Sequence, residues 1–163
     1  MSTLGSTVRI AGIVRESIVD GPGLRFTVFA QGCPHRCKGC HNESTLDFQG
    51  GYDCELSKIL TEIDKNPLLT GVTFSGGEPF CQAEGFYELG VEIKTRGLDI
   101  ISYSGYTLEE LQKMAKLDES IGKLLDITDY LVDGPFILEE RDLTLEFRGS
   151  RNQRFIRMAE IIG

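Results

Sequence analysis

Apolar and polar residues alternate through Leu24, Phe26 and Val28, and the run "LRFTVFAQGC" ends on a cysteine, so this segment reads as a strand that leads straight into a loop. Beyond the loop the period changes. Leu56, Ile59, Leu60 and Ile63 recur at helical spacing, with Asp53 available as an N-cap and Pro67 marking the far side. The plan then returns. "GVTFS" predicts a strand, "GGEPF" a loop, and Phe86, Leu89, Gly90 and Ile93 a helical face closed by Gly97. "LDIISYS" predicts another strand and "GYT" a turn. Thr107 to Glu110 form a capping box that opens a helix with Leu108, Leu111, Met114 and Ala115 inward. "ITDYLVDGPF" supplies a further strand ending in a turn.

Strands alternating with helices imply parallel pairing through crossovers, hence an α/β sheet with helices packed on its outer face. Ligands of such folds sit at the C-terminal strand ends, in the loops that lead into helices. The cysteine loop, "SGGEP", "SYSGY" and "VDGPF" all follow predicted strands, so they are expected to share one rim.

Composition narrows the function classes. The chain has 163 residues, 40% hydrophobic and 26% charged, with no repeat or composition shift, so residues 1–163 are expected to form a single domain. A formal net charge of -8 is the wrong sign for broad phosphate neutralisation, which argues against direct nucleic-acid binding. No apolar run reaches the roughly 18 residues of a membrane helix, and "MSTLGSTVRIAG" lacks a signal pattern, so the expectation is a cytoplasmic protein with no membrane partner. Arg148, Arg151, Arg154 and Arg157 cluster late in the chain, either as a solvated face or as a docking surface for an acidic partner.

Five cysteines is an odd number, unlike a secreted disulfide framework. Cys33, Cys37 and Cys40 are bunched in "CPHRCKGC", whereas Cys54 and Cys81 stand alone and read as small structural residues. A structural zinc takes four protein ligands, and His35 and His41 are cramped against the neighbouring cysteines as a fourth. A 4Fe-4S cluster takes one external ligand per iron, so three thiolates leave one iron open for a substrate or cofactor. Gly32, Pro34 and Gly39 interrupt regular structure and let the chain wrap a bulky cluster. Gly76 and Gly77 permit close approach of a ligand to backbone, and Glu78 offers a carboxylate to an ammonium group.

The spacing in "CPHRCKGC", together with "SGGEP" after the next strand, resembles the radical S-adenosylmethionine superfamily. "DGPGLRFTVFAQGCPHRCKGCHNEST" is similar to the N-terminal region of its glycyl-radical-enzyme activating proteins. "SYSGYTLEEL", "DYLVDGPF" and "LEFRGSRNQR" resemble the subgroup whose target is anaerobic ribonucleoside-triphosphate reductase. Gly39 stands where many superfamily members carry an aromatic residue, and His41 stands where some of the subgroup carry tyrosine; "CHN" also occurs in activators of pyruvate formate-lyase.

The resemblance implies an oxidoreductase with a 4Fe-4S cluster on Cys33, Cys37 and Cys40 and S-adenosylmethionine at the open iron. Its contacts would be Gly39, Cys40, His41, Asn42, Gly76, Gly77, Glu78, Ser104, Asp133 and Gly134. It implies reductive cleavage of that cofactor to methionine and a 5'-deoxyadenosyl radical, which abstracts hydrogen from a backbone glycine of the partner enzyme. A flavodoxin or ferredoxin would supply the electron. The implied fold is a partial (β/α) barrel of the radical S-adenosylmethionine type, truncated to about six or fewer strand-helix units because a full barrel takes about 250 residues. Its lateral opening would admit a glycine loop. Activation of another glycyl radical enzyme, and a non-catalytic iron-sulfur protein, stand as the alternatives. Tyr103 and Tyr106 read as packed aromatics and Asp20 as a turn residue.

Overall fold

The computed structural model describes residues 6–35, 47–142 and 144–160. Its chain order is β1 (Thr7–Ser17), β2 (Arg25–Ala30), β3 (Tyr52–Glu55), α1 (Leu56–Asp64), β4 (Gly71–Gly76), α2 (Ala83–Thr95), β5 (Asp99–Tyr103), α3 (Leu108–Ala115), α4 (Glu119–Ile127), β6 (Tyr130–Asp133) and β7 (Arg154–Arg157). The seven strands form one sheet in the order β3-β1-β2-β4-β5-β6-β7. The four central strands, β2, β4, β5 and β6, are parallel neighbours, as the alternation of strand and helix predicts. The sheet is open, a partial barrel with β3 and β7 as its edges.

The flanks depart from the all-parallel expectation. β1 pairs antiparallel with both β2 and β3, and β7 pairs antiparallel with β6. β1 carries little alternation, since Val8, Ile10 and Ser17 are its only buried positions, so its sequence shows no period-two signal. Its pairing recruits residues 52–55 as a strand, which corrects the role expected of Asp53. That carboxylate meets Arg9 at 3.1 Å across the β1–β3 pair, and Glu55 is the N-cap of α1. The capping box at Thr107 is present as predicted, with Glu110 N donating to Thr107 Oγ1 and Thr107 N donating to Glu110 Oε1.

Period two decides which face does what. Phe26 and Val28 on β2, Val72 and Phe74 on β4, Ile100 on β5 and Leu131 on β6 join one apolar cluster with Ile59, Phe86, Leu89, Ile93, Leu111 and Leu124 of the helices. The helices form a layer on that face, with α2 against α1 and α4, and α3 against α4. The intervening residues Thr27, Phe29, Thr73, Ser75 and Tyr103 look the other way. Over the start of this second face lies the segment 17–23. Thr73 Oγ1 donates to the carbonyl of Asp20 at 2.8 Å, Thr27 Oγ1 to its carboxylate at 3.1 Å, and the buried Arg25 to Pro22 O at 3.1 Å. The "DGPG" turn therefore floors the inner face, and Asp20 is its hydrogen-bond acceptor.

Candidate functional site

Above that floor, at the C-terminal ends of the parallel strands, opens a cavity of about 390 Å³. Cys33 and His35 line it from the loop after β2, Ser75 to Gly77 from the end of β4, Tyr103 to Gly105 from the end of β5, and Gly134 and Phe136 from the loop after β6. All four expected loops thus meet at one site, because parallel strands deliver their C-terminal ends to one side of the sheet. Leu145, Phe147, Arg148, Gly149 and Gln153 close the remaining wall.

Cys33 is buried at this cavity. Cys37, Gly39, Cys40, His41 and Asn42 lie outside the described residues. Gly76 sits at φ +88°, and a Cβ there would fall 2.7 Å from the backbone nitrogen of Ala30, so only glycine lets the end of β4 turn beside β2. Gly77 N donates to Ala30 O at 2.7 Å, and Glu78 N donates to Gly32 O at 2.8 Å, which pins the glycine loop to the start of the cysteine loop.

Glu78 is wholly buried and stands behind the cavity wall. Its Oε1 accepts from Ser104 Oγ at 3.0 Å and from Gly105 N at 2.8 Å, and meets His35 Nε2 at 2.6 Å; its Oε2 accepts from Phe80 N at 3.3 Å. The carboxylate expected to face an ammonium group is occupied with protein donors. Gly105 matters here because the His35 ring fills the space a Cβ would take, and the ring's other side meets Tyr106 edge-on at 4.4 Å.

Ser104 lines the cavity and accepts from Tyr106 N at 3.0 Å. Gly134 lines it at φ +96°, with its N–H donated to Tyr106 O at 3.0 Å. Asp133, one residue earlier, is buried and turned into the fold: it accepts from Leu108 N at 2.8 Å, at the start of α3, and from Arg154. Burial, reinforced by the negative charge of Asp20, pushes the Tyr103 phenol far above its ordinary range.

The arginines that cluster in sequence separate in space. Arg154 is held by Asp133 and Glu109, Arg151 and Arg157 are exposed, and Arg148 lines the cavity. Arg148 and the neighbouring Phe147 and Gln153 are site residues that motif reading missed. Their signal was the string "FRGSRNQ", which looks like surface charge until the chain folds back against β6.

The cavity is within the roughly 300–1,000 Å³ of small-ligand sites. A buried thiol, a glycine loop at backbone distance and an unpaired guanidinium donor at Arg148 Nε suit a thiolate-held cluster with a polar, partly anionic cofactor beside it.

An open sheet with a parallel centre, and a buried cysteine at the C-terminal rim of its strands, defines an α/β protein of the partial-barrel class. Residues 19–156 match the family described as 4Fe-4S single cluster domain. Over 144 residues the chain is 42% identical to the anaerobic ribonucleoside-triphosphate reductase-activating protein of Vibrio cholerae, covering 83% of this chain and 89% of that one. It is 35% identical to the pyruvate formate-lyase-activating enzyme of Clostridium pasteurianum, over 77% of this chain but 55% of that longer protein. The fold is similar to that of the crystal structure of QueE from Escherichia coli, with a TM-score of 0.50 at 16% identity over 66% of this chain and 57% of that one. The chain belongs to the 4Fe-4S single cluster domain family, and within it to the glycyl-radical-enzyme activating proteins of the radical S-adenosylmethionine superfamily. It is therefore an activating enzyme of the oxidoreductase type. Among the described residues no helix is long and apolar enough to cross a membrane.

Proposed function

We propose that the protein generates the glycyl radical of anaerobic ribonucleoside-triphosphate reductase. The observation that carries this reading is the meeting of the cysteine loop and the Gly76–Gly77 loop at one cavity, in a chain that matches 89% of the length of an activator of that reductase. Cys33, Cys37 and Cys40 hold the 4Fe-4S cluster. Bound there, cluster and S-adenosylmethionine would supply one-electron carbon-sulfur cleavage to methionine and a 5'-deoxyadenosyl radical, the acceptor for a hydrogen from a glycine of the partner.

The chain's own work is to bind, orient and shield. Gly76 and Gly77 bring backbone to the cofactor, with Ser104 and Gly134, which line the same cavity, as further contacts. Gly39, His41 and Asn42 follow or flank the last cluster ligand and contact the adenosine. Glu78 acts from behind the wall, holding the cysteine loop against the β5 loop through His35 and Gly105. Asp133 sets the start of α3 and so the position of Gly134. The open edge of the sheet leaves a route for a peptide, and a flavodoxin or ferredoxin in the cytoplasm supplies the electron.

Anaerobic reconstitution tests this. Reduced protein with S-adenosylmethionine should release 5'-deoxyadenosine. With the organism's anaerobic reductase it should raise a glycyl-radical signal in electron paramagnetic resonance. 5'-Deoxyadenosine without a radical on that partner, but with one on pyruvate formate-lyase, would move the target to the second relative; no 5'-deoxyadenosine at all would leave a non-catalytic iron-sulfur protein.

A further inference from the structure

A buried carboxylate is costly unless a charge of the opposite sign accompanies it. Glu78 is wholly buried, and the groups it meets are all donors: His35 Nε2, Ser104 Oγ, Gly105 N and Phe80 N. Four donors and no acceptor suit an ionised carboxylate. Among the described residues no lysine or arginine pairs with Glu78, so the group that can carry its countercharge there is His35.

The contact has the length of such a pair. At 2.6 Å it lies below the roughly 2.7–3.2 Å of ordinary N–H···O bonds, on the short side where charge-assisted bonds fall. The ring is also held in place. It occupies the space above Gly105, where a Cβ would come 2.3 Å from its Cδ2, and Tyr106 meets it edge-on with centroids 4.4 Å apart.

This pair stands within the proposed cluster loop. His35 lies two residues after Cys33 and two before Cys37, and Glu78 N donates to Gly32 O at 2.8 Å, next to Cys33. The other charged side chains of the cavity are engaged separately: Asp20 accepts from the Ser17 and Thr27 hydroxyls, and Arg148 donates to Gln153 O at 3.4 Å. The reduction potential of an iron-sulfur site follows the net charge and hydrogen bonds around it. A neighbouring carboxylate with no countercharge disfavours the gain of an electron, and a cation beside that carboxylate offsets it.

We infer that His35 and Glu78 form a compensated charge pair that sets how readily the iron-sulfur site accepts its electron, with His35 acting through Glu78. The inference rests on the cluster assignment proposed above and goes beyond it, by giving the pair an electrostatic task in addition to its hold on the loops.

A redox titration of the anaerobically reconstituted protein, followed by electron paramagnetic resonance, tests it. His35→Phe keeps a ring against Tyr106 but strands the Glu78 charge, so the midpoint should move to more negative potential. Adding Glu78→Gln to that variant removes the stranded charge and should restore the parent's midpoint, which a second lesion in the same contact would not do if the first had merely loosened the loop. Where His35→Phe holds less than full iron, His35→Gln, which keeps an N–H but no countercharge, takes its place in the same comparison. A midpoint equal to the parent's at full iron content, or a shift that Glu78→Gln leaves in place, overturns the inference while the cluster assignment stands. A parent protein that holds no cluster overturns both.

Discussion

His35 and Glu78, 43 residues apart in the chain, meet at 2.6 Å and join the cysteine loop to the loop after β4. Through the same Glu78 oxygen, Ser104 and Gly105 bring in the loop after β5. Three of the four loops that form the cavity are thus tied at one buried carboxylate. Glu78→Ala would leave the Ser104, Gly105 and Phe80 donors buried without their acceptor. The expected loss is about 3 kcal/mol of stability, with Glu78→Gln costing less because it keeps an acceptor oxygen. Urea unfolding under anaerobic conditions, followed by circular dichroism, measures both. A Glu78→Ala midpoint equal to the parent's would mean that the carboxylate holds nothing together.

On the proposed ligand assignment the cysteines divide into two classes. Cys33→Ala, Cys37→Ala and Cys40→Ala should each give a protein that fails to hold a complete cluster, read as loss of the brown colour and of about four irons per chain. Cys54 is half-buried in β3 and Cys81 is exposed, and neither lines the cavity. Their alanine variants should bind iron as the parent does. An intact cluster in Cys33→Ala, or its loss in Cys54→Ala, would reverse the assignment.

Tyr103 should titrate late. Burial and then Asp20 disfavour its phenolate, so its pKa is raised in the folded state above the ordinary value of about 10. The sign follows: the contribution to stability is complete below the unfolded pKa and fades as pH climbs toward the folded one, so alkali should unfold the protein while Tyr103 is still protonated. In an ultraviolet tyrosinate titration, Tyr103→Phe should remove one late-ionising phenol and delay alkaline unfolding. A Tyr103→Phe titration superimposable on the parent's would contradict the burial.

Arg154 makes two ion pairs of unequal worth. Asp133 is buried and Glu109 largely exposed, while the Arg154 side chain is itself nearly half exposed. Removing Arg154 strands a buried carboxylate that also accepts from Leu108 N, so Arg154→Ala should cost about 2 kcal/mol. Glu109→Ala should cost under about 1 kcal/mol, as solvent screens that pair. Since Asp133 positions both α3 and Gly134, Arg154→Ala should also weaken S-adenosylmethionine binding, measured on reconstituted protein; equal effects of the two substitutions would show that burial does not separate them.

The parallel core and its loops were legible because they depend on local patterns. Apolar residues at period two and then 3.6 mark β2, β4, β5 and β6 and the helices α1, α2 and α3, though not α4, and strand direction then sends "SGGEP", "SYSGY" and "VDGPF" to one rim. The spacing of Cys33, Cys37 and Cys40 is likewise local, and it is the basis on which they are proposed as cluster ligands. The edges were illegible for the opposite reason. β1 and β3 bury few side chains and exist because they pair with each other, and β7 reads as a run of arginines. Pairing across the chain is what selects them.

The sequence by itself determined the class of chemistry and the order of the parallel units, because both follow from residue type and from spacing along the chain. Only the tertiary structure decided what the charged side chains do. Glu78 looks free to receive an ammonium group in "SGGEP", and the fold surrounds it with four donors. Asp133 looks like a rim ligand, and the fold turns it against Arg154 and the start of α3. Arg148 looks like surface charge, and the fold buries its Nε beside the cavity without a partner. Charge is local information, but desolvation and pairing are set by residues remote in sequence, and those decide whether a charged group holds the scaffold or waits for a ligand.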